Sequence, residues 1–142
     1  MSPLQMRDNL STLQEIGLVK QKNDHPSHIL RGDYIRMLDN WSSHFDRRQI
    51  FVGFFDDIAS NPEKIVTDIL RFLEIDTTSF QYGDMLTTKK NVSIKREISE
   101  EIEQYLAQKY QPMLETLADK VGGHAVNWLA QANQIIEKSK VA

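Results

Sequence analysis

Cysteine is absent from the 142 residues. A disulfide framework, a thiolate metal site and a thiol nucleophile are thereby excluded. A reducing compartment fits this but is not required by it. Glycine is scarce, with six in the chain, and none builds a GxxxxGK[ST] or GxGxxG loop. HExxH and GxSxG are missing as well. The residues read alone therefore contain no glycine-built phosphate cradle, zinc-protease helix or nucleophile elbow. Positive charge is not in excess. Seventeen Lys and Arg stand against 20 Asp and Glu, a formal net charge of -3. That argues against broad attraction to nucleic acid or to an anionic membrane, while leaving room for a local basic pocket. No apolar run approaches membrane-spanning length, and the opening MSPLQMRDNL lacks the apolar core of a signal peptide. These absences predict a soluble cytoplasmic protein with no nucleic-acid and no membrane partner.

Hydrophobic content of 40% and charged content of 26% suit one globular domain with a modest core. From Pro3 to Leu18 the apolar spacing is loosely helical, and Gly17 suits its end. VKQKNDHPSH, Val19 to His28, reads as a polar loop. Ile29, Leu30, Tyr34, Met37, Leu38, Trp41 and Phe45 recur at three- and four-residue steps, which predicts one helix of about four turns. Gln49 to Phe55, QIFVGFF, is short and rich in β-branched and aromatic residues, the best strand in the chain. Its near-continuous apolar character is that of a strand covered on both faces, yet no second strand of similar quality is present. Ser60-Asn61-Pro62-Glu63 has helix-start chemistry, with Ser60 or Asn61 as cap and Pro62 pre-set for the first turn. Ile65, Val66, Ile69, Leu70, Phe72 and Leu73 form the buried stripe of that helix. A long polar connection follows. Ser99-Glu100-Glu101 opens another helix, Pro112 is expected to kink or break it, and Gly122-Gly123 ends the continuation. A last amphipathic segment carries Val126, Trp128, Leu129, Ile135 and Ile136.

Three clusters could carry chemistry. Asp56-Asp57 has the composition of an acid/base pair or a magnesium site. Adjacent residues of an extended chain point to opposite sides, so the better reading is a strand-end corner. His25 and His28 lie three apart in a loop without cysteine or a further histidine, which reads as solvated side chains and not as a metal site. Lys89, Lys90, Asn91 and Ser93 form a basic and hydroxyl cluster. It could hold a phosphate, since lysine supplies point charge and Asn and Ser supply donors, or it could be a solvated loop. No metal ligand set and no catalytic residue are assigned.

The order of features is more specific than any one of them. It runs GDYIRMLDNWSSHF, QIFVGFFDDIASNPEKIVTDILRFLEI, a KKNVS loop, ISEEIEQYLAQKYQPMLETLADKVG and NWL. This resembles the C-terminal half of the PAPS-dependent sulfotransferases, the bacterial sulfotransferase-domain branch in particular, over about Gly32 to Leu129. In that family a strand ends in an aromatic-Glu-Asp-Leu motif, and an Asn/Asp-Pro opens a helix ending in Phe-Leu-Gly. Here these stand as Phe55-Asp56-Asp57-Ile58, Asn61-Pro62 and Phe72-Leu73-Glu74. Asp56 departs from the usual Glu, and Glu74 from the usual Gly.

The resemblance implies an α/β fold of the P-loop type, of which this chain contributes mostly α-helix with one main β-strand at about 49–55. Residues 1–31 would form an N-terminal helix and variable loop, and residues 32–142 the C-terminal portion of a sulfotransferase-like domain. It implies PAPS as co-substrate and no metal. Phe55 matches an aromatic near the cofactor's adenine, or else serves as a core aromatic at the strand end. Lys89, Lys90, Asn91 and Ser93 fall where the family approaches the 3′-phosphate. The implied function is sulfuryl transfer from PAPS to a hydroxyl or amine, with the chain inactive alone because the glycine-rich loop and catalytic base have no counterpart. The alternative is a non-catalytic helical interaction module. The implied partner is the missing N-terminal half, or another chain, pairing with strand 49–55.

Overall fold

The computed structural model describes residues 12–78, 86 and 98–141. Seven α-helices and one 3₁₀ turn appear among them: α1 Thr12–Asn23, α2 Pro26–Gly32, α3 Tyr34–Ser42, the 3₁₀ turn Arg47–Gln49, α4 Phe55–Ser60, α5 Pro62–Phe72, α6 Glu100–Val121 and α7 His124–Val141. The chain divides into two compact units, Met1–Asp39 with Glu97–Ala142, and Asn40–Arg96.

The first unit is organised by the α6–α7 hairpin. Ser99 caps α6, its hydroxyl accepting from the Ile102 amide at 3.4 Å, and three glutamates in the first turn favour the positive end of the helix. Gly122 and Gly123 adopt φ of 63° and 56°, a left-handed turn open to glycine at little cost. The chain thereby reverses into α7. Ile102, Ala107, Leu117, Ala125 and Ala132 are buried. Three of these five are alanines, so the two helix backbones meet through small side chains.

Pro112 does not break α6, which runs from Glu100 to Val121 with the proline inside it. The lost amide and the ring clash are local costs. Packing along the hairpin outweighs them, as in most helices of globular proteins. One residue earlier, Gln111 Nε2 bonds Glu115 on α6 at 2.8 Å and Asn133 on α7 at 3.4 Å.

Two more expectations fail at α1 and α2. Helix α1 runs through Gly17 and on to Asn23, taking Val19–Asn23 out of the expected loop. Pro26 then starts α2 because proline fits the first helical turn. The expected long helix from Ile29 to Phe45 is divided at Asp33, whose carboxylate accepts from the Arg36 amide at 3.0 Å and so begins α3. Residues 1–11 of the expected N-terminal helix lie outside the described residues, as does nearly all of the polar connection before Ile98.

In the second unit, Asn61 caps α5 by accepting from the Lys64 amide at 3.0 Å, with Pro62 at the first helical position. The alternative cap, Ser60, instead donates its hydroxyl to the Asp56 carbonyl at 2.8 Å. Helix α5 closes on a paired-bond motif. The Ile75 amide reaches the Leu70 carbonyl and the Glu74 amide the Arg71 carbonyl, each at 2.9 Å. Glu74 pays for this turn with a φ of 58°. Ile65 is the buried residue of the helix.

The expected strand at 49–55 does not form. Gln49 ends the 3₁₀ turn and Phe55 begins α4. Between them the backbone is extended, with Ile50 at φ −114°, ψ 113° and Phe54 at φ −103°, ψ 144°. Extended dihedrals follow from the local residues, but a strand also needs a ladder partner. No strand of any kind occurs among the described residues.

Candidate functional site

The candidate site is the corner where the extended segment turns into α4. Gly53 lets that segment lie against α5, since a Cβ there would stand 2.9 Å from Ile65 Cδ1 and 3.0 Å from Phe51 Cε1. Phe51 packs on Phe72 of α5 with ring centroids 5.5 Å apart. This seats the corner. Phe55, the first residue of α4, is then carried outward and is 76% exposed. Among the described residues the Phe55 ring is therefore not part of a core. Lys89, Lys90, Asn91 and Ser93 fall outside the described residues.

Asp56 and Asp57 occupy the first turn of α4 instead of a strand end. Carboxylates there are favoured by the positive end of the helix, and their backbones serve as acceptors, Asp57's carbonyl taking the Asn61 amide at 2.8 Å. Lys64 is held above its ordinary pKa, first by its hydrogen bond to Asp68 and to a lesser degree by the charge of Asp57. His25 also has a use in the fold. Its Nδ1 accepts from the Ser27 amide at 3.3 Å and caps α2. His28 meets it edge-on at 6.3 Å between ring centroids. No three metal-ligating side chains come together among the described residues.

One polar cluster escaped the sequence reading. Lys109 Nζ donates to the Asn23 carbonyl at 3.1 Å and to Asp24 Oδ1 at 2.5 Å, while the Tyr110 hydroxyl donates to Asn23 Oδ1 at 3.1 Å. Lys20 lies 5.1 Å and Lys109 5.7 Å from the Tyr105 ring centroid. The hydrogen bond from Lys109 lowers the pKa of Asp24, and the bond to Asp24 raises that of Lys109. The cluster clasps the α1–α2 corner to α6. Tyr105 and Lys109, one helical turn apart, were its only local signal. Their partners are more than 80 positions away in sequence, too far for spacing to reveal.

A sulfotransferase domain is matched over residues 14–112, most of the chain. The chain belongs to the sulfotransferase family. The matched segment runs from α1 into α6 and includes Phe55 and residues 89–93, while α7 lies beyond it. Among curated proteins, this sulfotransferase-family chain is similar to the membrane-associated sulfotransferase kil1 of Dictyostelium discoideum, 29% identical over 94 residues. That match covers 65% of this chain and 19% of the relative, so the chain corresponds to less than a fifth of that protein's length. No solved structure matches the chain.

The relative corrects the cytoplasmic expectation. Its name records membrane association, and the composition of one segment cannot distinguish a free enzyme from the soluble part of a tethered one. Among the described residues, no helix of this sulfotransferase-family chain is long and apolar enough to cross a membrane.

Proposed function

We propose that this chain forms the adenosine- and 3′-phosphate-facing part of a sulfotransferase that uses PAPS as sulfuryl donor. The observation that carries the reading is Phe55. Inside the matched segment, at the corner between the extended run and α4, a phenylalanine ring is held 76% exposed by a seated backbone. An exposed aromatic face at a fixed corner suits stacking on a purine. Lys89 and Lys90 supply charge for the 3′-phosphate, and Asn91 and Ser93 supply hydrogen-bond donors.

In this reading the sulfuryl group passes in line from PAPS to a hydroxyl or amine acceptor. A base deprotonates the acceptor, and cationic groups balance the charge on the sulfuryl oxygens. The residues of this chain bind and orient the donor, and none of them is assigned as the base. The sequence holds no glycine-rich phosphate loop. The second reading is a non-catalytic helical module on the same scaffold.

Amide NMR titration with the desulfated cofactor, adenosine 3′,5′-bisphosphate, separates the two. The donor-binding reading expects saturable shifts at Phe55 and at 89–93, and loss of the Phe55 response in Phe55→Ala. Shifts absent from both places would leave the non-catalytic module.

A further inference from the structure

Glycine inside an extended run costs backbone entropy, and it marks a close approach where the fold needs one. Gly53 has no conformational reason to be glycine, because it does not share the positive φ of Gly122 and Gly123. The reason is space. A Cβ at Gly17, Gly32 or Gly122 would meet nothing within 4 Å, whereas a Cβ at Gly53 would stand 2.9 Å from Ile65 Cδ1 and 3.0 Å from Phe51 Cε1. Ile65 is the buried side chain of α5. The tighter of the two contacts therefore falls on the α5 side chain with the least room to yield.

The two neighbours differ in how they can give. Phe51 is exposed, and its ring edge can tilt on Phe72. Ile65 is β-branched and lies on a helix, which leaves it essentially one χ1 rotamer. Close packing around a buried side chain restricts the torsion that remains. A methyl group added at Gly53 therefore lifts the run from α5 and leaves Ile65 in place.

A short lever passes that lift to Phe55. The Phe54 carbonyl accepts from the Asp57 amide at 3.1 Å and from the Ile58 amide at 3.4 Å, which ties the run to the first turn of α4. The far end of α4 is fixed. The Asp57 carbonyl accepts from the Asn61 amide at 2.8 Å, and Asn61 caps α5. Raising the run turns α4 about Asn61. Phe55, the residue of α4 farthest from that joint, moves most.

We propose that Gly53 and Ile65 are positioning residues for the donor, their contact fixing the place from which the Phe55 ring stacks on the adenine. This deepens the donor-binding reading and rests on it. Contact groups of a binding site must hold their place to within ~0.5 Å. Loss of one base stack on an aromatic ring weakens binding roughly tenfold.

Isothermal titration with adenosine 3′,5′-bisphosphate tests the pair in the unmodified chain, Gly53→Ala, Ile65→Val and Gly53→Ala/Ile65→Val, each checked for helicity by circular dichroism. Valine lacks Cδ1, the atom that a Cβ at position 53 would strike. Gly53→Ala is expected to bind about tenfold more weakly, Ile65→Val within about twofold of the unmodified chain, and the double variant within about threefold. Truncating a buried isoleucine is itself destabilising, so recovery in the double variant cannot come from restored stability. In Gly53→Ala the amide shifts induced at 89–93 should persist while that at Phe55 shrinks.

Equal affinity in Gly53→Ala and the unmodified chain overturns the inference and leaves the donor-binding reading standing. No binding by the unmodified chain overturns both. A folded double variant as weak as Gly53→Ala overturns the positioning role alone. If Gly53→Ala does not fold, the double variant decides. Near-unmodified affinity then supports the pair, and weak binding or a second unfolded chain overturns it.

Discussion

Glu74 is the non-glycine residue with a positive φ, 58°, among the described residues. It sits just past α5, where the turn of the chain satisfies the Leu70 and Arg71 carbonyls. Replacing it by glycine should stabilise the protein. A left-handed backbone costs a side-chain-bearing residue ~1–2 kcal/mol. Glycine removes that strain but adds chain entropy to the unfolded state, worth ~0.5–1 kcal/mol. The net gain for Glu74→Gly is therefore about 0.5–1 kcal/mol. With an unfolding entropy near 2.1 cal/mol/K per residue, this is an increase in Tm of about 2–3 °C for a chain of this length. Thermal unfolding followed by circular dichroism reads it directly. Glu74→Ala is the control, because it removes the carboxylate and keeps the strain. If the alanine variant gains as much as the glycine variant, or if glycine lowers Tm, the strain argument is wrong. The family's usual glycine at this place would then need another explanation.

Leu117 is 4% exposed in the hairpin core, so Leu117→Ala should cost about 2–4 kcal/mol in urea unfolding. Leu73→Ala, at a residue 56% exposed, should stay within about 0.5 kcal/mol. The Asp24 carboxylate should titrate below the ordinary aspartate range by NMR, and Lys109→Met should return it toward that range. The folded pKa of Asp24 is depressed, so its contribution is present above the unfolded value and is lost as pH falls through the folded one. The opposite direction holds for Lys109, whose raised pKa keeps its contribution until pH rises through the folded value. The purified chain should show no sulfuryl transfer from PAPS to hydroxyl or amine acceptors, and measurable turnover would contradict that.

Helix starts were the most legible features. Asn61-Pro62 and Ser99 carry their signal in the residues that make the cap, and both appear where the spacing places them. The glycine pair at 122–123 was legible for the same reason, since its φ values are a local property. Gly17 as a helix end and Pro112 as a helix break misled because propensity is a small local cost. The helices containing them run on through both. The strand at 49–55 misled differently. Its residues do take extended dihedrals at Ile50 and Phe54, but strand status depends on a neighbour that local sequence cannot supply. Of the candidate site, Phe55 was found by the order of motifs, and its exposure came from the structure. The Asp24–Lys109 clasp joins residues 85 positions apart, a distance that only the folded chain closes.

The central claim is that the corner at Phe55 and the Lys89-Lys90 loop recognise the adenosine and 3′-phosphate of the donor. Isothermal titration of the chain with adenosine 3′,5′-bisphosphate tests it most directly, beside Lys89→Ala/Lys90→Ala under the same conditions. The account predicts binding in the micromolar range that the double variant loses. No heat of binding from the unmodified chain, or equal affinity in the variant, would contradict it.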